Sequence, residues 1–260
     1  MVEIGIIGGS GLYELLDEPE HRVVHTEYGT PSSEISLGRI GGKEVAFMTR
    51  HGKSHAVPPH MINYRANIAA LKELGVTTLI TSSVVGSLRA DYQPGDFVIT
   101  DQFYDRTWGR ESTFFTGPQV VHVSLADPYC PRMHDAGVAA LESLNETFHD
   151  GGTSVVIQGP RFSTRAESRV FQQLGFSVLS MTQHPETTLA REAGMCVFNL
   201  SFVSDLDAGI EGLQDEPVTA GMVWRRVAEA QPRIKAALAA IVDAVVVDPS
   251  CPCHEALADI

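Results

Sequence analysis

Four short segments of this 260-residue chain carry side chains suited to binding an anion or moving a proton. In Gly8-Gly9-Ser10-Gly11, the glycines let a ligand oxyanion reach backbone N–H groups, and Ser10 adds a hydroxyl donor. A dinucleotide fingerprint fails here, because its third glycine would fall on Glu14. Thr49-Arg50-His51-Gly52 offers a guanidinium fork that matches phosphate, with an imidazole beside it as a further donor. His51, His55 and His60 also read as possible metal ligands. Gly52 and Pro58-Pro59 disfavour a helical ligand platform, however, and no carboxylate or thiolate accompanies them, so no metal is expected. Thr81-Ser82-Ser83, ahead of Gly86, presents hydroxyls for phosphate, for ribose, or for their own strand-end backbone. Ser204-Asp205-Leu206-Asp207 sets two carboxylates two apart, open on spacing alone to a ligand, a metal or solvent. A carboxyl group buried there would have a raised pKa and could protonate a purine's imidazole nitrogen as its glycosidic bond breaks.

These segments need a frame that holds them together. Val- and Ile-rich runs predict strands over Val2–Ile7, Glu44–Thr49, Val76–Ser83, Asp96–Asp101, Thr153–Gln158, Phe176–Met181 and Met195–Val203. Several are continuously apolar, as strands buried on both faces must be. Helical spacing predicts helices over His60–Leu74, stopped by Gly75, and over Pro131–Leu144. Two more are predicted, Ser163–Leu174 with Ser163 as its N-cap and Val218–Val247 broken or kinked at Pro232. Alternating β and α elements specify an α/β fold: one domain, a mixed β-sheet surrounded by helices. In such folds ligands gather at the carboxyl ends of strands, where all four segments fall.

Composition narrows the partners. A formal charge of −13 argues against a nucleic-acid surface. No basic, apolar leader precedes Gly8-Gly9, and the apolar stretch 236–247 is short and interrupted by Asp243, so no membrane partner is expected. Four cysteines in a chain of this size do not suggest a disulfide scaffold, and a reduced, cytoplasmic protein is expected. Residues 1–250 read as the domain and 251–260 as a C-terminal tail. Cys251-Pro252-Cys253-His254 could be a metal clip, a disulfide or simply a tail, and is assigned no role.

The ordered motifs Ile4–Leu12, Arg50–Gly52, Gly86–Arg89, Gln93–Asp96, Asp101–Phe103, Asp105–Thr107, Gly159–Ser168, Met181-Thr182 with Pro185-Glu186, and Ser204–Asp207 resemble one known family. It is the methylthioadenosine phosphorylase branch of the trimeric purine nucleoside phosphorylases, and the resemblance spans roughly residues 3 to 245. It implies a nucleoside phosphorylase fold, a homotrimer and phosphate as co-substrate with no cofactor. It places phosphate on Ser10, Arg50, His51 and Ser83, with Thr182 between phosphate and ribose and Met181 beneath the ribose. Phe162 would stack on the base, Ser163 stands where the 6-oxopurine branch has glutamate, and Asp207 would contact the amino group. His122 resembles a histidine lent by a neighbouring subunit to the nucleoside's 5′ end. Ala220, Val223 and Trp224 would wall the 5′-alkylthio group. Asp205 would assist departure of the base through N7, and it stands where the 6-oxopurine branch has asparagine. A 6-amino group donates, and so favours an acceptor carboxylate; a buried mismatch costs about 1–3 kcal/mol. The implied reaction is phosphorolysis of 5′-methylthioadenosine. Ala208-Gly209 also resembles methylthioinosine-acting relatives, which keeps a 6-oxopurine phosphorylase as the alternative, and a non-catalytic nucleotide-binding protein and a hydrolytic nucleosidase are the remaining readings.

Overall fold

A computed structural model describes residues 2–208, 210 and 216–257; Gly209 of the last motif and the final residues of the expected tail lie outside them. Strands β1 (Ile4–Gly8), β2 (Glu20–Arg22), β3 (Ile35–Ile40) and β4 (Lys43–Thr49) precede helix α1 (Tyr64–Glu73). Then come β5 (Thr78–Ser87), β6 (Phe97–Ile99), β7 (Gln102–Arg106), α2 (Pro131–Ser143), β8 (Phe148–Asp150) and β9 (Thr153–Ile157). The chain continues through α3 (Arg165–Gln173), β10 (Val178–Ser180), α4 (Gln183–Glu192), β11 (Cys196–Asp205) and α5 (Ala220–Ala244).

The sheet is mixed, and β5 is its hub. Its first half pairs parallel with β1, its whole length pairs parallel with β11, and its last two residues pair antiparallel with β10. β10 in turn runs parallel to β9. That single antiparallel junction turns the β9–β10 pair around, so the carboxyl ends of both half-sheets meet at the middle of β5. Consecutive residues of the central strands face opposite layers, as the strand period of two requires. Ile6, Phe47, Ile80 and Phe198 pack with Met133, Leu141, Leu238 and Ile241 of α2 and α5. Ile7, Met48, Leu79 and Val197 pack with Ile68, Leu71 and Leu189 of α1 and α4.

Three helix predictions shift. Helix α1 starts at Tyr64 rather than His60, because Pro59–Met61 forms a separate turn and the Asn63 side chain accepts from the Ala66 N–H. Thr164, not Ser163, caps α3. It forms a capping box with Glu167, while the Ser163 hydroxyl is committed to Asp207. Pro232 does not break α5, which runs through it. The carbonyl it leaves without an N–H partner belongs to Ala228, which is exposed, so water can satisfy it. Helix α4 had no counterpart in the sequence reading, nor had β2, β3, β7 and β8. Among the described residues no helix is long and apolar enough to cross a membrane.

Candidate active site

Where the strand ends converge, a cavity of about 380 Å³ opens, within the range of small-molecule sites. It is lined by Ser10, Arg50, His51, Ser83, Phe162, Met181, Thr182, Asp205, Asp207, Ala220, Val223 and Trp224, all of them expected from sequence.

One half of the cavity gathers hydrogen-bond donors of the kind an anion needs. Gly9 packs so closely that an added Cβ would lie 2.5 Å from the Ser82 carbonyl oxygen, which is why that turn needs glycine. Arg50 is buried, and its Nε and Nη2 donate to the two Glu186 carboxylate oxygens at 2.7 Å each, while Nη1 donates to the Ser82 carbonyl at 2.9 Å. Burial alone would lower its pKa, but Glu186 outweighs burial and holds Arg50 charged. Two of its five N–H donors remain free of those three bonds. The Ser83 hydroxyl oxygen accepts from Asn199 Nδ2 at 3.0 Å, which leaves its own proton available. Asn199 is itself fixed by Thr81, Thr100, Gln183 and Ser201 in a buried polar network.

His51 differs from the expected donor. Its Nδ1 lies 2.9 Å from the Val57 carbonyl oxygen, which can only accept, so Nδ1 carries the proton and Nε2 of the neutral ring is an acceptor. Burial, Arg50 and His55 push its pKa down to about 3. Toward phosphate, the neutral ring suits a protonated oxygen.

The other half holds two buried carboxylates. Asp205 Oδ2 accepts from the Ser204 hydroxyl at 2.6 Å and Oδ1 accepts from the Asp207 N–H at 2.9 Å. Burial, with Asp207 adding to it, pushes the Asp205 pKa up to about 6 despite the Ser204 hydrogen bond. The Ser163 hydroxyl lies 2.6 Å from both oxygens of Asp207. Ser163 is outside the cavity lining and acts by holding Asp207 in place. Gly86 allows this crowding, since a Cβ there would stand 2.9 Å from Asp205 Oδ1.

The remaining wall is apolar and stacked. His55 lies against His51 with ring centroids 4.1 Å apart and against Trp224 edge-on at 4.8 Å. Sequence reading treated His55 only as a rejected metal ligand; it lines the cavity and links the anion half to Trp224. Arg110 was missed altogether. It donates to the Met181 and His184 carbonyls at 2.8 Å each and so fixes the segment carrying Met181 and Thr182. His184 contacts Thr188 and Asp105 instead of the cavity. His122 is exposed between β7 and α2 and does not line the cavity of its own chain.

The chain and its architecture match known proteins. The phosphorylase superfamily profile matches residues 3–246. The chain is 51% identical to the S-methyl-5′-thioadenosine phosphorylase of Thermofilum pendens, over 98% of this chain and 97% of that one. It is 46% identical to the purine nucleoside phosphorylase of Streptomyces coelicolor, over 98% and 94%. The methylthioadenosine phosphorylase of Schistosoma mansoni, solved with adenine, superposes with a TM-score of 0.88 at 36% identity, covering 93% of this chain and 91% of that one. With a mixed sheet whose strand ends converge on one cavity, and with these similarities along nearly its whole length, the chain belongs to the phosphorylase superfamily.

Proposed function

We propose that this protein cleaves the N-glycosidic bond of 5′-methylthioadenosine with inorganic phosphate, giving adenine and 5-methylthioribose 1-phosphate. The observation that carries the reading is the division of one cavity into an anion half, around Arg50 and Ser83, and an acid half, around Asp205.

A phosphate oxygen attacks the anomeric carbon while the C1′–N9 bond breaks and its electron pair leaves with the base. Ser10, Arg50, Ser83 and Thr182 hold the phosphate, and the His51 Nε2 accepts from a protonated phosphate oxygen. The anion beside the anomeric carbon stabilises the developing oxocarbenium charge, and positioning removes much of the entropic barrier. Burial raises the Asp205 pKa to about 6, so near neutral pH a fraction of the protein carries the proton that N7 receives as charge builds on the purine. Asp207, oriented by Ser163, accepts from the 6-amino group, Phe162 covers the base, and Met181 lies beneath the ribose. Ala220, Val223 and Trp224 form an apolar wall for the methylthio group. The chemistry requires neither metal nor organic cofactor. A homotrimer in the cytoplasm completes the reading, with His122 of one chain reaching the 5′ end of a nucleoside in the next; its exposure away from its own cavity supports that role.

The test is base release from methylthioadenosine, adenosine, methylthioinosine and inosine by dialysed protein, with and without phosphate. Phosphate-dependent adenine release led by methylthioadenosine is expected. Release without phosphate would make the protein a hydrolase, and no release at all would make it a binding module. The 46% identity to a purine nucleoside phosphorylase favours one second reading, a 6-oxopurine substrate met by protonated Asp205 as donor. Faster release from methylthioinosine or inosine would establish it.

A further inference from the structure

The four cysteines of the chain come from three distant segments, and all four are buried together. Cys130 precedes α2 as its N-cap, Cys196 opens β11, and Cys251 and Cys253 bracket Pro252 where residues 251–257 fold back onto the body. Their sulfur atoms all lie within 4.8 Å of one another, and Cys130 Sγ is 3.9 Å from Cys251 Sγ. A tetrahedral tetrathiolate site with metal–sulfur bonds of about 2.3 Å requires sulfur–sulfur separations of about 3.8 Å. We propose that Cys130, Cys196, Cys251 and Cys253 form a structural site for a thiophilic divalent cation of the zinc class, which clips the C-terminal segment to the sheet.

The surroundings fit that charge. Four thiolates and one dication leave a net charge of −2, which must be compensated inside a largely apolar core. Arg132, paired with Asp248 at 3.0 Å, is close enough for its charge to favour a negative Cys251 sulfur, and Cys130 caps the amino end of α2, where the helix dipole favours negative charge. The Arg191 guanidinium is buried and close enough for its positive charge to favour a negative Cys253 sulfur. A cavity of about 260 Å³, lined in part by Cys130, Cys196, Arg132 and Asp248, gives an ion a route in. His254 lies beside the cluster, its Nε2 3.9 Å from Cys196 Sγ, but that nitrogen is nearer the Asp248 carbonyl oxygen at 3.0 Å and Nδ1 is 2.8 Å from that of Gly194, so backbone carbonyls engage both ring nitrogens. On binding, each coordinating thiol releases its proton to solvent and no redox partner is needed.

Untagged protein, produced with zinc in the medium and purified with a reductant but no chelator, should retain about one zinc ion per chain by elemental analysis. After the ion is stripped, cobalt(II) titration should raise thiolate charge-transfer bands and tetrahedral visible bands, saturating at about one equivalent. Cys253→Ser should weaken cobalt binding at least about tenfold and reduce the charge-transfer intensity; if that variant fails to fold, the wild-type titration still decides. Two results would overturn the site. One is four free thiols with neither retained zinc nor cobalt bands, the signature of plain core cysteines. The other is a mass lowered by pairs of hydrogens with the thiols absent, the signature of disulfides.

Discussion

The two ends of β11 make a useful contrast. Cys196 starts the strand and Asp205 ends it, about 30 Å apart at the rise of an extended chain. Every residue between them is buried, and each end gathers acidic side chains out of water. At the carboxyl end, the carboxylates are held by Ser163, Ser204 and the Asp207 N–H, yet they face an open cavity. At the amino end, four sulfur atoms face one another across less than 5 Å, with the guanidinium groups of Arg132 and Arg191 nearby and Asp248 paired to Arg132. One cluster is organised around a space that is refilled every turnover. The other is organised around a single point that stays filled. Function and stability should therefore separate along one strand, and mutations at the two ends should divide accordingly.

Arg50→Ala should have the largest effect, and it tests whether the carboxyl end also carries stability. It removes the cation proposed to hold phosphate and leaves Glu186 buried without its partner, a loss of about 3–5 kcal/mol for a broken buried pair. Phosphorolysis should fall at least about a thousandfold, and the denaturant midpoint should drop sharply. An unchanged midpoint would mean that Glu186 finds another donor and that the carboxyl end carries little of the stability.

Asp205→Asn comes next and should act almost wholly on chemistry. Loss of the acid should cost about 10²–10⁴ in rate on 6-amino substrates. An amide favours a 6-oxo group, so selectivity should move toward methylthioinosine by roughly ten- to a hundredfold. Asp205 also leaves a pH signature. Its pKa is raised from 3.8 to about 6, so the folded state binds its proton more tightly than the unfolded chain. Stability should then fall as pH rises from about 4 to about 6, by at most about 3 kcal/mol, and level off above. The asparagine variant should lack that slope in denaturant titrations run across this range. At constant phosphate dianion, kcat/KM for methylthioadenosine should decline above about pH 6 in the wild type, and that limb should be absent in the variant.

Cys253→Ser probes the other end. It should lower Tm by several degrees while leaving kcat/KM for methylthioadenosine within about twofold, since the mutated sulfur sits roughly a strand's length from the reacting atoms. A large loss of activity at unchanged Tm would couple the two ends and break the contrast.

The sequence made the two ends unequally legible for a physical reason. Ser10 and Arg50 come just after apolar strands and Asp205 closes one, so local pattern and strand-end logic locate them without knowledge of contacts; Ser83, read as a strand end, lies inside β5, which continues to Ser87. Arg110 touches Met181 and Gln158, 71 and 48 residues away, and nothing near it in sequence marks it as a clamp. Gln183 and Asn199 form a buried network whose purpose appears only when β5, β11 and α4 are side by side. Helix α4 was hidden because it is rich in polar residues and carries Pro185, yet nearly all of it is buried against the sheet. The cysteines are the extreme case. Cys130 and Cys251 are 121 residues apart, and only the short Cys251-Pro252-Cys253 spacing signalled a ligand pair. Ser163 and Thr164 show the limit at the finest scale. Either hydroxyl could cap α3, and the choice was settled by Asp207, 44 residues downstream.

The smallest effect is expected at the rim of the cavity, where the contrast can be sharpened within the carboxyl end itself. Trp224 is only about two-thirds buried, with 36% of its surface exposed, and it meets His55 edge-on. It touches neither the anion half's network nor the carboxylates in any described hydrogen bond. Trp224→Ala should therefore leave the pH profile and the folded stability nearly unchanged. What it should remove is apolar contact with a methylthio group, worth about 1 kcal/mol or a factor of roughly five in kcat/KM. Adenosine, whose 5′-hydroxyl gains little from an indole wall, should lose less. The preference for methylthioadenosine over adenosine should narrow, most of it through KM, because contact with a non-reacting group binds ground state and transition state alike. An unchanged preference would move the 5′ wall to Val223 and Ala220 and leave Trp224 as a support for His55 alone.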